Sequence, residues 1–102
     1  MSEVISLKLS TSEELVARIV ERKEDSIVLD RPRAIGLTQS SDGSVGMQLI
    51  PFMASNQDGT ITVFNNHIVA ETTPTKELEN GYLNQTSAID TQTSPEDMIV
   101  TP

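Results

Sequence analysis

His67 has the most versatile side-chain chemistry in this sequence, and it is the only histidine among the 102 residues. Asn65 and Asn66 precede it directly. An imidazole that takes part in catalysis needs a nucleophile or a metal ion as its partner. The sequence contains no cysteine and none of the GxSxG, HExxH, P-loop or EF-hand patterns. We therefore expect a turn histidine in a protein that is not an enzyme and uses no metal or other cofactor.

Basic residues form the second group with possible chemistry, because lysine and arginine bind phosphates. The net charge is −8, from 15 acids and 7 bases, so the chain as a whole repels nucleic acid. Five of those bases nevertheless lie close together in the sequence: Arg18, Arg22, Lys23, Arg31 and Arg33. Two interpretations stay open, a locally positive binding face and the solvated rim of a hairpin.

The segment from Glu14 to Leu37 must position these bases, and its pattern is typical of a β-hairpin. Apolar residues alternate at Leu15, Ala17 and Ile19. A charged link at 22–25 then leads into the apolar run Ile27-Val28-Leu29. Alternation with a period of two, together with β-branched residues, predicts strands.

A helix over residues 12–22 is the alternative for the first arm. Ser10 and Glu13 have the spacing of a capping box, and Leu15 and Ile19 have the spacing of one helix face. The charged link and the second β-branched arm favour the strand.

The remaining segments predict a single small domain, residues 1–86, with an aliphatic core, because aromatic residues make up only 3% of the chain. Pro32 and Pro51 interrupt strand patterns, as residues without a backbone N–H do. Thr73-Pro74 predicts the start of a helix that continues to about residue 86. Further strands are predicted at 4–9, 47–54, 60–64 and 67–71.

Residues 87–102 form a predicted tail with three acids and no base. Its only apolar run, Met98-Ile99-Val100, is expected to dock on apolar surface, as an added strand on a sheet edge of its own or a neighbouring subunit. A contact of this run that is made only by crystal packing is the alternative.

No apolar stretch approaches the roughly 20 residues of a membrane span, and MSEVISLKLS is too polar for a secretory signal. A cytoplasmic location is therefore expected.

Five short strands, a bent central hairpin and a tight Asn-rich turn before the last strand resemble the Sm-like (Lsm) family. Residues 14–33 are similar to its first motif, and residues 62–69, TVFNNHIV, are similar to its second. The segment 66–74 also resembles part of the bacterial Hfq host factor. The ending KELENGYLNQTSAI looks most like phage-encoded Sm-like proteins. The resemblance covers about residues 4–88.

This resemblance implies a mainly β fold: a small, strongly bent, five-stranded antiparallel Sm-like (SH3-type) barrel with a short C-terminal helix near 74–86. It also implies a closed homo-oligomeric ring of about five to seven subunits. In such a ring, the strand near 60–64 of one subunit pairs with the strand near 67–72 of the next. A phage-encoded ring of this kind works in the host cytoplasm, without contact to a membrane.

The resemblance further implies a site for single-stranded RNA on the link 22–26 and the turn 65–67, facing the pore. The link departs from the family because it has no aromatic or histidine side chain on which a base could stack. The base-reading asparagine of the family falls near Ser26, and the arginine of its second motif is replaced by Val63 or Phe64. The candidate RNA-binding residues are Arg22, Lys23, Ser26, Phe64, Asn65, Asn66 and His67.

Two functions remain open from the sequence. The first is a ring-forming RNA-binding or RNA-chaperone module, which the resemblance and the basic hairpin favour. The alternative is a structural or adaptor ring that binds protein and has lost the RNA site. The net charge of −8 and the missing aromatic residue favour that alternative.

Overall fold

A computed structural model describes the backbone of residues 3–91 and the side chains of residues 3–86. It confirms a mainly β fold with a helix at its C-terminal end. The predicted docking of Met98-Ile99-Val100 lies outside the described residues. The elements are β1 (Val4–Leu9), β2 (Glu14–Arg22), β3 (Ser26–Gln39), β4 (Val45–Pro51), β5 (Thr60–Phe64), β6 (Ile68–Thr72) and α1 (Lys76–Thr91), with single-turn 3-10 helices at Ala54–Asn56 and Asn65–His67.

All the strands pair antiparallel in one sheet, with the order β4-β3-β2-β1-β6. The first half of β3 pairs with β5 and its second half pairs with β4, so these two short strands share one side of β3. The hairpin of β2 and β3 confirms the strand prediction, and the alternative helix over 12–22 is wrong.

The sheet contains six strands, rather than the five of the barrel that the resemblance implies. The expected strand over 47–54 ends at Pro51, because proline has no N–H to continue the ladder with β3. The chain then passes through a 3-10 turn and returns to β3 as β5. Within residues 3–91, no ladder joins β5 to β6, so the sheet is open there and a closed barrel stays a prediction.

The bend of β3 lies at Arg31-Pro32, between its two partner strands. Arg31 has a φ of 48°, which is unusual for a residue with a side chain, and its N–H donates to the Gly59 carbonyl at 2.9 Å. The β2–β3 register also shifts in two places, as bulges do where a strand curves. The bend allows the sheet to curve around its core.

Two apolar clusters lie on opposite faces of the curved sheet. In β1 alternate residues point to opposite faces, so that Ile5 and Leu7 enter the inner cluster while Val4 faces α1. The cluster under α1 joins Val4, Val16 and Tyr82, with Leu49, Leu78 and Leu83 packed around them. The inner cluster contains Ile5, Leu7, Leu9, Leu15, Ala17, Ile27, Leu29 and Val63.

The helix α1 begins two residues later than its predicted start at residue 74 and ends at Thr91 rather than near 86. Thr75 provides the cap, since its Oγ1 accepts a hydrogen bond from the Leu78 N–H at 3.3 Å. Buried Pro74 therefore precedes the helix instead of occupying its first turn.

Candidate functional site

The two loops predicted to form one site lie side by side. Ser26, the first residue of β3, pairs with Phe64, the last residue of β5. The Asn65 N–H donates to the Asp25 carbonyl at 2.9 Å, and the Asn65 side-chain amide donates to the Glu24 carbonyl at 3.3 Å. These bonds hold the turn Asn65–His67 against the link 23–25.

His67 also contacts the end of β1, a neighbour that its sequence position does not indicate. The Ser10 N–H donates to the His67 carbonyl at 2.8 Å. The Ser10 hydroxyl lies 3.5 Å from His67 Nδ1, at the limit of a hydrogen bond. The imidazole itself is exposed. This arrangement supports hydrogen bonding and stacking at the surface.

Phe64 is 52% exposed and lines an apolar hollow of about 230 Å³. Leu9, Phe52, Met53 and Ile61 line the same hollow, together with His67. Sequence reasoning did not single out Phe52 and Met53. Their position directly after Pro51 was the available signal, because apolar residues that follow a strand-ending proline still need a surface to pack against.

Of the predicted RNA-binding residues, Arg22 is already paired with a carboxylate and Ser26 is buried. The Arg22 guanidinium forms two hydrogen bonds to the Glu71 carboxylate, at 2.5 and 3.2 Å. The pKa of Arg22 is raised above its usual value, mainly by this hydrogen bond. Ser26 is only 3% exposed, so it cannot read a base as the corresponding asparagine of the resembling family does.

Three further bases of the hairpin take part in internal contacts. Arg18 and Arg31 both lie near the Asp30 carboxylate, at 3.6 and 3.7 Å. Arg33 is 2% exposed, and its guanidinium donates to the Gln85 side chain at 2.5 Å and to the Gln57 carbonyl at 2.9 Å. Arg33 thus holds α1 and the loop before β5 against the bend of β3.

Lys23 is the hairpin base that remains exposed without an ion pair in the part of the chain that the structure describes. Glu24 and Asp25 follow it in the same link and are exposed as well. The surface of the site therefore combines Lys23 with Phe64 and the turn Asn65–His67, next to two carboxylates.

Neither a metal centre nor a membrane span is apparent in residues 3–91. No three histidine or acidic side chains there are grouped closely enough to hold a metal ion. The helix in that range is not long and apolar enough to cross a bilayer.

Comparison with known proteins adds no family assignment. No family model matches the sequence, and no curated protein matches it.

Proposed function

We propose that this chain is a subunit of an Sm-like homo-oligomeric ring that binds single-stranded RNA at the turn Asn65–His67. The observation that carries the proposal is the exposed Phe64 beside three hydrogen-bonding side chains, all held against the link that contains Lys23. The proposed subunit is a strongly bent barrel, and the proposed setting is the cytoplasm of a host cell.

Assembly into a ring is supported by two sheet edges. Among the described residues, β5 pairs only with β3 and β6 pairs only with β1. An uncovered edge strand presents unpaired backbone groups that favour pairing with another chain. Val69 on β6 is 66% exposed, which adds apolar surface to that edge. Pairing β5 of one subunit with β6 of the next gives a heterologous contact that a rotation can close.

The chemistry at the turn suits single-stranded RNA. An aromatic ring such as that of Phe64 can stack on any base, whereas amides of the kind in Asn65 and Asn66 form hydrogen bonds with base edges. Lys23 supplies a positive charge for a phosphate. A ring repeats this set once in every subunit, so that weak individual contacts act together.

A ring that binds protein rather than RNA is the second candidate. It is favoured by the ion pair between Arg22 and Glu71, because the Glu71 carboxylate neutralises the charge of the arginine. It is also favoured by Glu24 and Asp25, whose carboxylates lie next to Lys23 and repel phosphate.

Fluorescence anisotropy of labelled oligo-U and oligo-A RNA tests the first candidate. We expect the Phe64→Ala change to weaken binding about tenfold, since stacking is worth roughly 1–3 kcal/mol per base. Lys23→Glu should also weaken binding and flatten its salt dependence. Lys76→Glu makes the same charge change on α1 and should leave the affinity within about twofold.

The results separate the two candidates. An intact ring that binds neither RNA at low salt contradicts the RNA proposal and favours the protein-binding ring. RNA binding that is equally weakened by Lys23→Glu and Lys76→Glu reflects overall charge and contradicts a site at the turn.

A further inference from the structure

We propose that a groove between the β3–β4 hairpin and the start of α1 binds a short apolar segment of another protein, flanked by lysine or arginine residues. This inference does not depend on RNA binding or on the ring, because the groove involves neither β5 nor β6.

The floor of the groove follows from the register of two strands. Ile35 pairs with Leu49, and Leu37 pairs with Met47. Paired residues of antiparallel strands point to the same face, and Leu49 of this set packs against the cluster under α1. The face of these residues is therefore the one that α1 partly covers.

The helix covers only part of this face, and the outer part of the hairpin stays open. Leu37 is 74% exposed, Val45 is 66% exposed and Met47 is 53% exposed. Two hollows, of about 430 and 400 Å³, lie on either side of Met47 and Leu78. Apolar side chains of a bound segment can occupy both hollows.

The rim of the groove is acidic. Glu13 and Glu14 line one hollow together with Lys8, and Glu77 lines the other. The rim thus carries three exposed carboxylates and one exposed ammonium group. A segment with basic residues on both sides of its apolar part complements this charge.

Charge and size argue against two other occupants. A second copy that used the same face would bring these carboxylates together, and a stable interface needs about 20 to 30 residues on each side. The groove offers six apolar side chains: Ile35, Leu37, Val45, Met47, Leu49 and Leu78. The chain's own residues 87–102 carry three acids and no base, so the rim repels them.

Binding of a fluorescein-labelled peptide with a central run of leucines and lysines on both sides of that run tests the proposal on the full chain. Two matched peptides replace either lysine by glutamate or leucine by serine. We expect the leucine–lysine peptide to bind at least tenfold more tightly than both. Met47→Ser and Glu77→Lys should each weaken it at least threefold, whereas Val20→Ser, which changes a 54% exposed residue on β2, should leave it unchanged.

Several results would overturn the proposal. Equal binding of all three peptides, or binding that Met47→Ser leaves intact in a folded variant, shows that the groove is not the site. A loss of oligomers in Leu37→Ser identifies a second copy as the occupant. Tighter peptide binding in Ile99→Asp identifies the chain's own end as the occupant. Circular dichroism of each variant establishes that it is folded.

Discussion

At the scale of single residues, Tyr82 connects the helix to the sheet. It is fully buried. Its hydroxyl accepts a hydrogen bond from the Arg18 N–H at 3.1 Å and donates one to the Asp30 carbonyl at 2.6 Å. The phenol thus satisfies backbone groups of both β2 and β3, at the place where the β2–β3 register shifts.

Burial raises the pKa of Tyr82 above its usual 10.0, because the phenolate loses hydration. Folding therefore favours the neutral phenol of Tyr82. The stability that this preference contributes is complete below the pKa of the phenol in the unfolded chain, and it is lost as the pH rises through the pKa of the phenol in the folded protein. The chain has one tyrosine and no tryptophan. We expect its tyrosinate absorbance to titrate above pH 10.0 in the folded protein and at about pH 10 in denaturant.

Tyr82→Phe tests the role of this hydroxyl, because it removes the hydroxyl and keeps the ring. It should lower the free energy of unfolding at neutral pH by about 1–2 kcal/mol, since two backbone groups lose a partner. It should also lessen the fall in stability above about pH 10. A normal titration in the folded protein would contradict the burial of the hydroxyl.

At the scale of elements, α1 and the β3–β4 turn use glycine differently. Gly81 lies inside α1, where a Cβ would stand 3.9 Å from Leu49 Cδ1 and thus in ordinary contact. Gly43 has a φ of 91° in the turn, a conformation that side chains disfavour. The first glycine weakens its helix, whereas the second is required by its turn.

These positions give a matched pair of substitutions. Gly81→Ala should raise the free energy of unfolding by about 0.5–1 kcal/mol, because alanine has the higher helix propensity. Gly43→Ala should lower it by about 1 kcal/mol through backbone strain. Urea denaturation followed by circular dichroism measures both. A loss of stability in Gly81→Ala would mean that Leu49 packs too closely against the helix to accept a methyl group.

At the scale of the whole molecule, the sheet leaves β5 and β6 uncovered in the described chain, and the proposed ring covers both. We expect sedimentation at tens of micromolar to show a closed oligomer of about five to seven subunits. Val69→Lys should dissociate it, since this residue is 66% exposed on β6 and an added charge disfavours pairing at an edge.

Val20→Lys is the control for the ring. It introduces the same charge at a 54% exposed valine on β2, which already has partner strands on both sides. The oligomer should persist in this variant. A monomer in the unchanged protein, or equal dissociation by both substitutions, would refute assembly through β5 and β6.

The sequence by itself determined the elements whose signals are local. Alternation over residues 14–20, together with the charged link and the β-branched arm that follow, predicted β2, and a strand at 60–64 was predicted where β5 lies. The end of β4 at Pro51 shows the limit of such signals, since the sequence predicted an interruption there and a strand at 60–64, but not that this strand pairs with β3.

The tertiary structure decided which polar side chains remain available. Arg22 and Arg33 look alike in sequence, yet one pairs with Glu71 at the surface and the other is buried against Gln85 and Gln57. Ser10 reaches His67 across 57 positions of the chain. Burial and ion pairing depend on residues that are distant in sequence. A local pattern carries no information about which distant side chain will contact a given residue in the folded protein.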